Sequence, residues 1–134
     1  MRLASFKTPE GRPTVGLYKD GVYVDLHALS DGALPADMIA FLAAGEAARA
    51  SAHRIDASLA LDPARPEQLR NAAGQRCAWP EKEIELLAPV PRPGKIMHTS
   101  CNFDAHLEEL TTWKEPEWQS HNWGEFHFEH PTGF

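Results

Sequence analysis

Residues 89–94 read Pro-Val-Pro-Arg-Pro-Gly, and no regular element runs through them. Each proline fixes φ at about −65° and has no N–H, so the stretch can neither continue a helix nor join the middle of a sheet. A domain boundary falls there, dividing the 134 residues into 1–90 and 91–134. The first part is long enough to bury a small core, and the second is short for a core of its own. The fold expected is α+β. A small N-terminal antiparallel sheet with a covering helix occupies residues 1–90, and an incomplete mixed-β domain begins in residues 91–134.

The elements follow from local pattern. Asp20-Gly21 lies between the apolar runs Thr14 to Lys19 and Val22 to Leu26. Asp-Gly so placed is a strong hairpin signal, because both turn positions take positive φ. Val22, Val24 and Leu26 alternate with Tyr23 and Asp25, as a half-buried strand requires. Leu3 to Phe6 is a short first strand. Pro35 suits the first turn of a helix whose dipole Asp37 complements. Leu34, Met38, Phe41 and Leu42 recur at helical spacing, and one helix is expected to run on, weakened at Gly45, to about His53. Pro66 to Ala73 reads as a second short helix and Glu83 to Leu87 as a strand. Beyond the boundary, Lys95 to Thr99 reads as a strand and Phe103 to Leu110 as helical turns. Glu125-Phe126-His127-Phe128-Glu129 alternates strictly, which favours a strand with two unlike faces.

Composition narrows the functional classes. The net charge is −6, and no Lys/Arg-rich stripe is present to neutralise phosphates, which excludes a general nucleic-acid binder. No stretch approaches the roughly 20 apolar residues of a membrane span. The first residues contain no long apolar run of the secretory kind. Cys77 and Cys101 do not make a disulfide framework. These features together read as a soluble cytoplasmic protein with reduced thiols.

The chemistry-bearing residues concentrate in Pro93 to Glu109, where Asn102, Asp104, His106, Glu108 and Glu109 share one loop-to-helix junction. Residues three apart lie on one helix face, so His106 and Glu109 can meet. A carboxylate beside an imidazole fixes its tautomer and stabilises its protonated form. Such a pair can take and return a proton near neutral pH. The same spacing also describes an ordinary surface ion pair. Cys101, five residues before His106, raises a Cys–His nucleophile, against the plainer role of a small buried residue at a strand end. His121, Glu125, His127, Glu129 and His130 raise a metal site, with Glu125, His127 and Glu129 on one strand face, but no close-spaced ligand signature accompanies them. Trp113, Trp118 and Trp123 read as packing or interface residues. His98 reads as a core histidine on a strand, and His27 and His53 carry no signal.

The segment resembles the fumarylacetoacetate hydrolase superfamily. Its members have a proline-rich lead, Pro-Gly-Lys-Ile, a strand, and Asn-Tyr-x-x-His-x-x-Glu. Here the lead runs Ala88 to Ile96 and the motif runs Asn102-Phe103-Asp104-Ala105-His106-Leu107-Glu108-Glu109, with phenylalanine for tyrosine and Ser100-Cys101 for the usual Gly-Leu. The hairpin, the Gly21 to Leu26 strand and the Leu34 to Met38 helix start are similar to that family's small N-terminal domain. The resemblance implies His106 and Glu109 as a water-activating dyad, with Asn102 and Phe103 against substrate. It implies a Mg²⁺ or Mn²⁺ ion, a small β-dicarbonyl or 2-oxo-acid substrate, carbon–carbon bond cleavage, and a homodimer. The family's metal ligands lie well downstream of the dyad, and no carboxylate here maps onto them. The alternative is a non-catalytic fragment that serves as a dimerisation or packing module.

Overall fold

The computed structural model describes residues 1–100, 104–112 and 132–133. The chain forms two compact units, Met1–Pro93 and Gly94–Phe134. The first unit is built on five antiparallel strands: β1 (Leu3–Lys7), β2 (Pro13–Lys19), β3 (Val22–Asp25), β4 (Ala78–Pro80) and β5 (Glu85–Leu86), in the order β4-β3-β2-β1-β5. Asp20 and Gly21 form the β2–β3 turn at φ 52° and 81°, and Lys19 pairs with Val22. Both turn residues therefore take the left-handed conformation that Asp-Gly tolerates.

Strand alternation sorts the side chains into two clusters. Val15, Leu17, Val22, Val24 and Ala78 line the face that meets the helices, where Leu26, Leu34, Met38, Phe41, Ala48 and Ala52 complete the main core. The opposite face carries Phe6, Tyr23 and Trp79, with Ala4, Tyr18 and Ile84 against them. Phe6 meets Tyr23 edge-on at 5.7 Å between ring centroids, an arrangement favoured by the ring quadrupoles. Gly16 makes that packing possible. A Cβ there would sit 2.2 Å from the Val24 carbonyl oxygen and 2.5 Å from the Phe6 ring.

Three helices complete the unit, and they differ from the sequence expectation. Asp25 ends β3 and caps a short helix, α1 (Leu26–Leu29), by accepting from the Ala28 amide. This turn was absent from the expected elements because four residues show no periodicity. The next helix begins at Met38, with Asp37 as its cap accepting from Ala40, so Pro35 precedes the helix instead of opening it. Gly45, at φ +65°, breaks the expected single helix into α2 (Met38–Ala43) and α3 (Gly45–Ser58). Ala48 and Ala52, one turn apart, are the buried residues of α3, and their small side chains allow it to lie close to its neighbours. Pro66 to Ala73 forms only a 3₁₀ turn at Pro66–Gln68. β4 was also unexpected, since Pro80 disguises a strand that pairs Trp79 with Tyr23 at the sheet edge.

In the second unit, β6 (Thr99–Ser100) pairs antiparallel with β7 (Thr132–Gly133), and α4 spans Asp104–Thr112. The strand expected from Lys95 is confined to Thr99–Ser100, and residues 95–98 are exposed and outside any strand. The strand expected over Glu125 to Glu129 lies outside the described residues.

Candidate functional site

α4 places His106 and Glu109 on one helix face. His106 Nδ1 lies 3.4 Å from Glu109 Oε2, with the side chains 44% and 62% exposed. A carboxylate only accepts, so this contact puts a proton on Nδ1 and leaves Nε2 as the other ring nitrogen. At that exposure an i,i+3 pair contributes about 0.2–0.5 kcal/mol, so the helix does not depend on it. One turn on, the Thr112 hydroxyl donates to the Glu109 carbonyl at 2.7 Å, near the C-terminal end of α4. Nothing in the sequence pattern singled out Thr112, since a threonine near a helix end has many uses.

Asn102 and Phe103, the expected substrate contacts, and Cys101, the rival nucleophile, lie outside the described residues. So do Trp113, Trp118 and Trp123, which motivate the packing-module alternative, and His121, Glu125, His127, Glu129 and His130, the rival metal set. His98, expected to be a buried histidine on a strand, is exposed and precedes β6. The Nδ1–H of His27 donates to the Leu34 carbonyl at 2.6 Å and closes the turn ahead of α2, a structural task. His53 is exposed on α3. Cys77 is a free, buried cysteine whose thiol is pushed up by burial, which keeps it protonated and unreactive.

No three His, Cys, Asp or Glu side chains converge on a cation site among the described residues. They do not fit the Mg²⁺ or Mn²⁺ ion that the resemblance implies.

No family model matches the chain. Over 112 residues, 81% of the chain, it is 34% identical to oxaloacetate tautomerase Fahd2a, mitochondrial, of Rattus norvegicus. Over the same length it is 32% identical to oxaloacetate tautomerase FAHD2A, mitochondrial, of Homo sapiens and 31% identical to the Bos taurus protein of that name. The chain spans about 30% of the length of these relatives. All three are named as mitochondrial, which overturns the cytoplasmic expectation. That expectation leaned on the lack of an apolar leader, a mark of secretion, whereas mitochondrial transit peptides are amphipathic and arginine-rich. The ordered Pro-Gly-Lys-Ile and Asn-Phe-x-x-His-x-x-Glu segments, the α+β architecture and this similarity along most of the sequence agree: the chain belongs to the fumarylacetoacetate hydrolase superfamily.

Proposed function

We propose that the chain is the leading part of an enzyme that moves a proton on a small 2-oxo dicarboxylic acid, with His106 as the proton carrier and Glu109 as its partner. The similarity over 81% of the chain to proteins named oxaloacetate tautomerase carries this reading. In such a reaction a C–H beside the carbonyl loses its proton, a carbon–carbon double bond forms, and the carbonyl oxygen gains a proton. No atom is gained or lost. An imidazole suits the task because it exchanges protons near neutral pH. The Glu109 contact favours the tautomer protonated at Nδ1, which leaves Nε2 as the nitrogen free to accept a proton. On this reading residues 1–93 are the family's small N-terminal domain, and Gly94 begins the catalytic one.

Carbon–carbon bond cleavage, the reaction first implied by the family, would use the same pair to activate water. The relatives' names favour proton transfer over it. The two are separated by giving the natural protein that contains this chain oxaloacetate and, separately, an acylpyruvate. Accelerated keto–enol interconversion with no cleavage product supports the tautomerase reading. Stoichiometric release of a carboxylic acid from the acylpyruvate, with no effect on the keto–enol rate, overturns it.

A further inference from the structure

Ser5 is a polar residue in an apolar setting. It lies on the same face of β1 as Leu3, opposite Val15, and is 3% exposed. A buried hydroxyl is unfavourable unless it is hydrogen-bonded. The partner of Ser5 lies 84 residues along the chain: its Oγ donates to the Pro89 carbonyl at 2.8 Å. The Ser5 carbonyl in turn accepts from the Leu87 amide at 2.9 Å, extending the β1–β5 pairing one step beyond Leu86. Lys7 pairs with Glu85 at 2.9 Å, and Val90 packs against the main core. Residues 85–90 therefore form a strap drawn along β1. Residues 91–98, which follow, are exposed.

The strap's sequence explains why a serine faces it. Pro89, Pro91 and Pro93 have no N–H, so beyond Leu87 the segment offers its neighbour mostly carbonyls. A backbone ladder cannot hold such a segment, and a side-chain donor is needed. We propose that Ser5 is the latch of this strap: its hydroxyl holds residues 87–90 down on β1, and its loss lets that stretch open as a unit.

The test is amide hydrogen exchange on the whole chain, comparing wild type with Ser5→Ala, Ser5→Thr and Val90→Ala. Ser5→Ala is expected to speed exchange at Leu87 about tenfold, as loss of one buried hydrogen bond implies, with Val15 and Leu17 changed less than twofold. Ser5→Thr, which keeps a hydroxyl, restores Leu87 to within about threefold of wild type. Val90→Ala leaves β1 intact and must also speed Leu87, so the latch is tested even where a change at Ser5 disturbs the sheet. Unchanged exchange at Leu87 in Ser5→Ala overturns the latch, whatever Val90→Ala does. Equal acceleration at Leu87, Val15 and Leu17 in both variants does so too.

Discussion

Replacing Asp25 with alanine tests how the end of β3 is held. Asp25 Oδ1 accepts from the Thr14 hydroxyl at 2.8 Å and from the Ala28 amide at 2.9 Å, the second bond capping α1. Oδ2 is buried and accepts no hydrogen bond among the described residues, and the nearest guanidinium nitrogen, from Arg12, is 3.9 Å away. Loss of the cap costs about 0.5–2 kcal/mol. Leaving the buried Thr14 hydroxyl without its acceptor costs about 1–3 kcal/mol more. Alanine also removes a carboxylate oxygen from a dry site, which returns part of this, so the net expectation is a loss of about 2–4 kcal/mol. Asp25→Asn keeps an acceptor for both donors and discards the charge, so its expected change is within about 1 kcal/mol. Urea unfolding followed by circular dichroism reads both from the shift in midpoint at constant slope. If Asp25→Asn proves as costly as Asp25→Ala, attraction to Arg12 holds the site and the hydrogen-bond account fails.

Three further outcomes follow from single features. Gly16→Ala is expected to destabilise by about 1–3 kcal/mol or more, because the added Cβ meets the backbone carbonyl of Val24, which cannot swing aside; a neutral urea midpoint would contradict the β1–β2–β3 register. Burial alone would raise the Asp56 carboxyl, but the Lys19 ammonium, 3.3 Å away, and the Met1 ammonium, 3.6 Å away, together outweigh it and hold the group below its usual range. A lowered folded-state value gives stability that is present above about pH 4 and lost as pH falls through that value, so the stability gap between wild type and Asp56→Asn should shrink below about pH 4, read by urea midpoints across pH. Cys77 should resist alkylation in the folded chain at pH 8 and react on unfolding, as mass spectrometry would register; rapid labelling in the native state would contradict its burial.

Much of the first unit was legible because its signals are local. Asp20-Gly21 fixed a turn through backbone chemistry, and the alternation of Val22, Val24 and Leu26 placed one strand face inward. Asp37 signals a helix start, but whether it caps or opens the helix depends on where its side chain finds an amide. Gly45 marks a weak point in a helix, and only its positive φ turns a weak point into a break. β4 and Ser5 were hidden for another reason. Their partners lie far along the chain, at Tyr23 and Pro89, and no local pattern reports a contact across that separation. The candidate pair at His106 and Glu109 could be named from helical spacing alone. Its weight as chemistry comes from motif order, since an exposed histidine–glutamate contact looks the same in an enzyme and on an ordinary surface.

The most direct test follows deuterium entering the methylene of oxaloacetate in heavy water by proton NMR. The measurement uses the natural protein that contains this chain, compared with its His106→Ala and Glu109→Gln variants. The expected result is a loss of about 10²–10⁴-fold in catalysed exchange for His106→Ala. A smaller loss is expected for Glu109→Gln, which keeps an acceptor for the imidazole. Wild-type exchange rates in the His106→Ala protein would contradict the assignment of His106 as the proton carrier.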